Sequence, residues 1–436
     1  LLQELYRSVR PYGGILYLLS EGPAGDLATR AADANLEQAD ITMTPEGVVV
    51  RRTGALPHTA DWTHQHGDIA NTIKSDDARV KLPLGVLWFG GNRNDDTLPR
   101  HGHGPPEQVV NGRLFIQGMN SLSARDVYTG RVLWKREFED LGTFDVFYDS
   151  TYQDAPLDTS YNQVHIPGAN GRGTNYVVTP ERLYLALDNR CLVLDPATGA
   201  TLNEIQLPAD SPDENPQWGF LGVYQDVLLG GVGFARYRQR RQLVFDAQDT
   251  PTGNAAGFGP QSLDRAASMA LVAFDRFSGK LLWQVPARHS FWHNGIVAGG
   301  GRVYCLDKNP ALVEDALRRR GEAAPETYRI LSLDHRTGEI QWETTEQIFG
   351  SWLGYSETHD MLFQGGAAAS DRLRVEVGRG MAVYAAAKGT LQWHKPDLAY
   401  AGPCILHNDW IVTNVDSYSE SAGAFHIQTG VQRQVP

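Results

Sequence analysis

Apolar and polar positions along this chain alternate in short runs, and the same turn recurs between them. An apolar run ends in an acidic residue, a Thr-Gly or Ser-Gly turn follows, and the next short run carries a tryptophan. With the aspartate as position zero, glycine falls at +4 and tryptophan at +8, as at Asp126, Gly130 and Trp134. Asp275 and Asp334 begin two further complete copies. Short runs of this kind, bounded by turn residues, predict β-strands.

Three more copies keep the spacing but not every residue. Their three positions hold Asp195, Gly199 and Asn203 in one copy, Ala385, Gly389 and Trp393 in the next, and His426, Gly430 and Gln434 in the last. Each part of the motif has a physical reason. The glycine can adopt a positive φ in a tight hairpin, the aspartate can accept backbone N–H groups, and the tryptophan buries a large ring while offering an N–H. Six copies at one spacing indicate an internal repeat.

The residues before each copy complete a unit of four successive strands. The first unit is predicted at residues 106–110, 113–117, 122–126 and 131–137, and the second at 176–178, 182–187, 191–195 and 202–207. The later units start near Phe220, Gly295, Trp352 and Pro403. Four antiparallel strands per repeat, stacked radially, form a β-propeller blade. Residues 84–88 are predicted to be a lone outer strand that precedes the first blade.

We therefore predict a mainly β fold, a seven- or eight-bladed propeller of which six blades and one lone outer strand are present in this chain. Two insertions interrupt the blades, at residues 234–268 and 309–327, and the second is predicted to contain a short helix. Both insertions carry arginine runs, which are typical of solvated surfaces.

The first 56 residues follow another pattern. Leu2, Leu5, Tyr6 and Val9 recur at helical spacing, and a Pro-Tyr-Gly-Gly turn ends that helix. A strand at 15–19, a helix at 27–38 and a hairpin of strands 41–44 and 47–52 are predicted to follow. This order indicates a short α/β unit, so we predict one domain at residues 1–56 and the propeller at 57–436.

Composition excludes several functional classes. The chain has 436 residues, of which 42% are hydrophobic and 21% charged, and this is too apolar for a disordered protein. A formal net charge of −12 argues against nucleic acid as a partner, because phosphate binding needs a basic face. No run of 18 apolar residues occurs, so no membrane span is predicted.

The compartment stays open at this point. The three cysteines, Cys191, Cys305 and Cys404, are too few for a disulfide framework and are expected to be free thiols. Free thiols favour the cytoplasm slightly over the periplasm. The sequence starts without a methionine or a signal peptide and stops within a strand-like pattern, so we expect a fragment of a larger multidomain protein.

The Ala-x-Asp-x-x-Thr-Gly-x-x-x-Trp signature resembles the tryptophan-docking motif of quinoprotein alcohol dehydrogenases and their relatives, which include the propeller lipoprotein of outer-membrane barrel assembly. Residues 61–72, with Trp62, Gly67-Asp68 and Asn71-Thr72, are similar to the opening sequence of such propellers. The resemblance covers roughly residues 57–436. It implies the fold of these pyrroloquinoline quinone (PQQ)-repeat proteins, whose members include enzymes, scaffolds that bind no quinone, and sensor domains.

The same resemblance raises the question of quinone chemistry. The dehydrogenases of this family place a carboxylate base beside PQQ and hold Ca²⁺ with Glu, Asn and Asp oxygens, and many cover the cofactor with a disulfide of adjacent cysteines. This chain has no adjacent cysteine pair, and no Glu, Asn and Asp set aligns with theirs. PQQ with Ca²⁺ is therefore kept as an alternative, and no residue is assigned a catalytic role.

The α/β unit resembles the C-terminal part of a class I S-adenosylmethionine-dependent methyltransferase. In that family a Leu-Arg-Pro-Gly-Gly turn precedes the fifth strand, whereas here Val9 stands for the leucine and Tyr12 is inserted before the glycines. The family's Gly-rich cofactor loop and ribose-binding acid do not lie in residues 1–56. We therefore do not expect this chain to bind S-adenosylmethionine.

Residues just before each innermost strand are expected to point to the mouth of the central channel. The candidate ligand-binding residues are His101, His103, Asn175, Trp218, Trp292, His293, Asn294, Tyr355 and Glu357. Such a ring of aromatic and polar groups suits a flat, quinone-like ligand, and the alternative is that these side chains pack the channel and satisfy backbone groups. His64 and His66, like His101 and His103, are two residues apart, but no cysteine or carboxylate stands at a ligand spacing beside them. We predict hydrogen-bonding roles for these histidines and no metal site.

Three functions stay open from the sequence. The first is a binding or scaffold module of a multidomain protein, with a protein or small-molecule ligand at the channel face. The second is a PQQ-dependent oxidoreductase, and the third is the recognition module of an S-adenosylmethionine-dependent methyltransferase.

Overall fold

The computed structural model describes residues 1–20, 23–90, 96–97, 107–118, 120–139, 141, 175–208, 216–235, 266–366, 379–414 and 422–434. Its first elements are α1 (Leu2–Arg7), β1 (Ile15–Leu19), α2 (Ala24–Asp33), β2 (Ala39–Thr44) and β3 (Gly47–Arg52). The three strands form an antiparallel sheet in the order β1-β3-β2, and the helices bury Tyr6, Val9 and Ala31 against Val48 and Val50. The predicted helix, strand and hairpin are confirmed.

The second helix lies three residues earlier at its start than the sequence predicts and ends five residues sooner. It ends at Asp33, and Asn35 beyond it adopts a positive φ of 47°, a conformation in which a helix cannot continue. Leu36 and Gln38, which the periodicity had included, therefore lie outside the helix.

The remaining strands form six four-stranded antiparallel blades, as predicted. Blade 1 contains β4 (Gln108–Val110), β5 (Arg113–Gln117), β6 (Ser121–Asp126) and β7 (Val132–Glu137). Blade 2 contains β8 (Tyr176–Val178), β9 (Leu183–Leu187), β10 (Arg190–Leu194) and β11 (Thr201–Gln206). Blade 3 contains β12 (Trp218–Tyr224), β13 (Val227–Val232), β14 (Ala267–Asp275) and the first half of β15 (Leu281–Gly299).

Blade 4 begins with the second half of β15, which pairs with β16 (Arg302–Asp307), so that blades 3 and 4 are joined in one continuous sheet. Helix α3 (Ala311–Arg319) follows β16, as predicted for the second insertion, and β17 (Arg329–Asp334) and β18 (Ile340–Thr344) complete the blade. Blade 5 contains β19 (Trp352–Ser356), β20 (Met361–Gly365), β21 (Arg379–Ala385) and β22 (Thr390–Ala399). Blade 6 contains β23 (Ala401–His407), β24 (Trp410–Asn414), β25 (Ala422–His426) and β26 (Gln432–Gln434). Most of the first insertion, residues 236–265, lies outside the described residues.

The motif tryptophans join each blade to the next. The Trp134 ring lies against Gly199 of blade 2, where a Cβ atom would come within 2.8 Å of it, and its Nε1 donates to the Pro196 carbonyl at 3.0 Å. The same hydrogen bond runs from Trp283 to His335 (2.9 Å), from Trp342 to Ala386 (2.9 Å) and from Trp393 to Ile427 (2.7 Å). In every case the acceptor is the residue directly after the first position of the motif.

Blade 2 lacks the tryptophan but keeps the hydrogen bond. Asn203 stands in the tryptophan position, and the hydroxyl of Tyr184 instead donates to the Arg276 carbonyl at 3.2 Å. Arg276 again directly follows the first motif residue, Asp275. A side chain from β9, another strand of the same blade, thus satisfies the equivalent backbone acceptor.

The prediction of a lone outer strand at residues 84–88 is wrong. This segment has no strand pairing in the described part of the chain, and Val86 and Leu87 are largely exposed. A strand forms only where a neighbour can accept and donate its backbone hydrogen bonds. Trp88 nevertheless behaves as a docking tryptophan, because its Nε1 donates to the Val127 carbonyl at 2.8 Å and its ring covers Gly130.

The α/β unit contacts blade 1 directly. Arg10 forms an ion pair with Asp126, the first residue of the first motif. Tyr12, the residue that departs from the methyltransferase turn, has a positive φ of 53° and places its ring against Gly112 in the β4–β5 turn. Burial raises the pKa of Tyr12 to about 12. Within the described ranges, no helix is long and apolar enough to cross a membrane.

Candidate ligand pocket

A single segment, residues 61–74, crosses the channel and bonds to the innermost strand of every blade; we call it the strap. Trp62 exchanges backbone hydrogen bonds with Val109 of blade 1, at 2.7 and 2.9 Å. Five other inner strands each donate one backbone N–H to it: Val178 to the Thr63 carbonyl (3.4 Å), Val223 to His64 Nε2 (3.0 Å), Ala298 to the Ile69 carbonyl (3.1 Å), Tyr355 to the Ala70 carbonyl (2.9 Å) and Leu406 to the Thr72 carbonyl (2.9 Å). The strap thereby satisfies inner strand edges that would otherwise carry unpaired N–H groups.

The Gly-Asp-x-x-Asn-Thr part of the strap folds on Asp68. Its Oδ1 accepts the backbone N–H groups of Ala70 (3.0 Å) and Thr72 (3.1 Å), and its Oδ2 accepts the Thr72 hydroxyl at 2.5 Å. Asn71 adopts a positive φ of 54° and donates through Nδ2 to carbonyls of blades 4 and 5, at Asn294 and Leu353. The sequence resemblance at these positions therefore reflects a structural role.

His64 is buried and serves as a hydrogen-bonding residue, as predicted. Its Nε2 accepts the Val223 N–H, so the proton of the neutral ring lies on Nδ1, 2.7 Å from the Thr63 hydroxyl. Burial lowers the pKa of His64 to about 3, which keeps the ring neutral at ordinary pH. His66 packs edge-on against the ring of Trp352, with 4.6 Å between ring centroids.

The channel has two ends, which the innermost strands define. At the start face these strands begin, and at the turn face they turn into the second strand of each blade. The strap bonds lie near the turn face, at the last residues of the innermost strands. Residues 142–174 and 236–265 lie outside the described residues.

The predicted tryptophan candidates are core residues. Trp218 is 2% exposed, packs on Phe274 and donates through Nε1 to the Asn189 carbonyl at 3.1 Å. Trp292 is 4% exposed and donates to the Lys308 carbonyl at 3.1 Å. Both rings lie in apolar clusters between strands, so neither presents a free face on which a flat ligand could stack.

The polar candidates at the start face line little open space. His293 Nε2 lies 2.9 Å from the Ser268 hydroxyl, and the Asn294 carbonyl accepts from Asn71. Both residues border a cavity of only about 20 Å³ beside the strap, which is room for one water molecule. Asn175 is fully buried, and its side-chain amide makes no hydrogen bond with any residue that the structure describes.

His101 and His103 lie outside the described residues. Across the rest of the chain that the structure describes, no three His, Cys, Asp or Glu side chains form a group that could hold a metal ion. Among the described residues of the predicted mouth, Trp218 and Trp292 therefore offer PQQ no free stacking face.

Among the described residues, a ligand-sized space lies at the opposite end of the channel. A pocket of about 440 Å³ opens at the turn face, with strap residues on one side and the inner turns of blades 3 to 6 on the other. Its lining comprises Asp68, Ile69, Ala70, Thr72, Lys74, Asp76, Tyr224, Ala298, Gly299, Tyr355, Ser356, Glu357, Thr358, Leu406 and Asn408. Tyr355 and Glu357 are the two predicted candidates found here, so the structure divides the predicted ring between two faces.

The pocket is lined by more negative than positive charge. Asp68, Asp76 and Glu357 contribute carboxylates, and Lys74 is the one cation among the lining residues. Lys74 is paired with Asp76, whereas Glu357 is exposed and makes no ion pair within the described chain. Burial raises the pKa of Asp68, and the hydrogen bonds from Thr72 and Ala70 act in the opposite direction.

Sequence reasoning missed Asp68, Ser356 and Asn408 as pocket residues. Asp68 lies in residues 61–72, where the sequence shows only a resemblance to other propellers. Ser356 and Asn408 lie in or beside the turns that follow the inner strands, whereas the sequence points to residues before these strands. The sequence signal for these pocket residues is the tight turn that follows each innermost strand.

Comparison with known proteins addresses the repeat. Residues 248–396, about a third of the chain, match the model of the family described as outer membrane protein assembly factor BamB, whose repeat is of the PQQ type. The chain contains a PQQ-repeat β-propeller. No curated protein matches the sequence closely enough to count as a relative.

Solved structures similar to this PQQ-repeat propeller include proteins of several kinds. BamB from Moraxella catarrhalis is 10% identical with a TM-score of 0.40, covering 75% of this chain and 70% of its own. Quinohemoprotein alcohol dehydrogenase from Comamonas testosteroni is 12% identical with a TM-score of 0.43, covering 87% and 73%. The Dos1 propeller is 10% identical with a TM-score of 0.43, covering 75% and 66%.

Proposed function

We propose that the PQQ-repeat propeller is a binding module whose ligand occupies the turn-face pocket. The observation that carries this proposal is the position of the strap. Among the described residues, the strap borders a cavity of only about 20 Å³ beside His293 and Asn294, while a pocket of about 440 Å³ opens beside the strap at the turn face. Volumes of this size are typical of sites for small molecules.

The lining supports a binding role. Tyr224, Glu357 and Asn408 come from the inner turns of blades 3, 5 and 6, and strap residues supply the opposite wall. Hydrogen bonds to the inner strands fix the strap backbone, and the Gly301 N–H donates to the Tyr224 hydroxyl at 2.9 Å. Polar groups held in this way are pre-organised, which lowers the entropic cost of binding.

Two alternatives remain from the sequence: quinone-dependent oxidation, and a role for the propeller as the recognition module of an S-adenosylmethionine-dependent methyltransferase. The binding proposal needs neither activity. It extends the prediction of a binding or scaffold module by naming the surface that binds.

The test is a thermal-shift and calorimetric screen with four probes: cadaverine, 1,5-pentanediol, glutarate and glucose. The variant Thr358→Trp places a large ring at the exposed pocket rim, and Gln392→Trp places the same ring on an exposed outer strand of the same blade. We expect at least one probe to bind the unmodified protein and Gln392→Trp but not Thr358→Trp.

Two results would overturn the proposed function. One is the absence of any probe whose binding depends on Thr358. The other is stoichiometric binding of added PQQ with Ca²⁺, together with dye-linked alcohol oxidation, because the protein would then be an oxidoreductase.

A further inference from the structure

We infer that the turn-face pocket selects a small organic ammonium ion. This inference rests on the proposed function, since it names the chemical class of the ligand at the same site. The lining carries three carboxylates and one lysine, and the whole chain has a formal net charge of −12. The electrostatic potentials of the pocket lining and of the whole chain both favour a cation over an anion.

The pocket also offers a hydroxyl that no described residue uses. Ser356 is only 7% exposed and lines the pocket, and no hydrogen bond joins its hydroxyl to a described residue. A ligand N–H group can therefore donate to Ser356 Oγ without breaking a hydrogen bond within the protein.

Asp68 has capacity for a further bond. A carboxylate has about four acceptor positions. Two N–H groups use Oδ1 and the Thr72 hydroxyl uses Oδ2, which leaves one position on Oδ2. Burial raises the pKa of Asp68 although Lys74 acts in the opposite direction, and a further bound cation would favour its charged form.

The three acceptors belong to one neighbourhood. The Ala70 N–H donates to Asp68, and the Ala70 carbonyl accepts from the Tyr355 N–H, directly before Ser356 and Glu357 in the chain. A primary ammonium carries three donors, and Asp68, Ser356 and Glu357 supply three acceptors. Glu357 has no competing cation within the described chain, because Lys74 pairs with Asp76.

An organic ion fits better than a bare metal ion. The pocket volume of about 440 Å³ far exceeds the space of one ion, and no metal-ligand group was found among the described residues. Tyr224, Tyr355, Ile69 and Leu406 contribute apolar surface that a carbon chain can cover. A diamine of four to six carbons is the simplest molecule with these properties.

The experiment is isothermal titration of the full chain with cadaverine, 1,5-pentanediol, glutarate and CaCl₂ at low salt. Cadaverine is an organic cation, 1,5-pentanediol is uncharged, glutarate is an anion, and CaCl₂ supplies a metal ion. We expect cadaverine alone to bind. Glu357→Gln and Ser356→Ala should each weaken it about three- to tenfold, as loss of one charge-assisted hydrogen bond implies. Glu139→Gln, an exposed glutamate of blade 1, is the matched control and should change nothing.

Each other outcome overturns the inference, and the probes separate it from the proposed function. Cadaverine that binds equally to Glu357→Gln, Ser356→Ala and Thr358→Trp would bind elsewhere. Pocket-dependent binding of glutarate, pentanediol or Ca²⁺ in place of cadaverine would remove the ammonium selectivity and leave the binding module intact. If none of the probes, glucose included, binds at the turn-face pocket, both the ammonium selectivity and the proposed binding function are wrong.

Discussion

The docking of one tryptophan on one glycine can be tested by adding a single methyl group. Gly338 has a φ of +71°, and a Cβ atom built on it would come 2.6 Å from the Trp283 ring. The substitution Gly338→Ala destabilises the folded protein in two ways. One is the left-handed backbone, about 1–2 kcal/mol. The other is displacement of the ring, which loses the hydrogen bond to the His335 carbonyl and overpacks the interface.

The chain contains a matched control for the backbone cost. Gly321, two residues beyond the end of α3, has a φ of +73°, and a Cβ atom built on it would meet nothing within 4 Å. Gly321→Ala should therefore cost only about 1–2 kcal/mol. Gly338→Ala should cost about 2–4 kcal/mol more, from about 1 kcal/mol for the hydrogen bond and about 1–3 kcal/mol for overpacking.

The assay is equilibrium urea unfolding followed by circular dichroism. A double-mutant cycle sharpens it, because on a Trp283→Ala background Gly338→Ala should cost no more than Gly321→Ala. Equal destabilisation by Gly338→Ala and Gly321→Ala in the unmodified chain would refute the idea that tryptophan docking holds neighbouring blades together.

Three further predictions concern Tyr184, His64 and the buried cysteines. Tyr184→Phe should lower the free energy of unfolding by about 1–2 kcal/mol, because it removes the donor to the Arg276 carbonyl; the exposed Tyr17→Phe is the control, and an equal effect of both would contradict the replacement of tryptophan in blade 2. His64 has a folded pKa of about 3 against an unfolded value near 6.5, so the unfolded state binds the extra proton and stability should fall as pH drops below 6.5, by up to about 1.4 kcal/mol per pH unit from this group. His64→Gln should flatten the urea-unfolding profile between pH 6.5 and 4, and an unchanged slope would refute the neutral, hydrogen-bonded His64. Burial raises the pKa of Cys191 and Cys305, so native protein should not react with a thiol reagent such as dithionitrobenzoate, whereas urea-unfolded protein should release three equivalents; fast labelling of the native state would contradict the buried positions.

The repeat could be predicted from the sequence because its signal is local. Gly130, Gly199 and Gly338 all adopt positive φ near 70°, as a fixed spacing between aspartate and glycine implies. Asp126 and Asp334 accept the backbone N–H groups of their own turns. Each such contact spans a few residues, so the strand order of a blade follows from sequence spacing alone.

The candidate site could not be predicted in the same way because its contacts span long sequence distances. The strap bonds residues near 70 to residues near 300, 355 and 406, and no local pattern marks where a carbonyl finds its donor. Trp218 and Trp292 are examples. Their position near the start of an inner strand indicates the channel mouth, but the structure buries both rings in the apolar core, where large apolar rings are stabilised most.

Tyr12 and Trp88 are two residues whose contacts matter although the sequence pattern around each of them was misleading. Tyr12 departed from the methyltransferase pattern, and in the structure it contacts Gly112 of the propeller. Trp88 was assigned to a strand that does not form, yet it makes the docking contact expected of that strand. In both cases the residue mattered more than the element to which it was assigned.

The claim that the ligand binds at the turn face is tested most directly by a crystal structure of the protein soaked with cadaverine. We predict density for the diamine in the pocket, with one ammonium within hydrogen-bonding distance of Asp68, Ser356 and Glu357. Density at the start face, beside Trp292 and His293, with the turn-face pocket empty, would contradict the account.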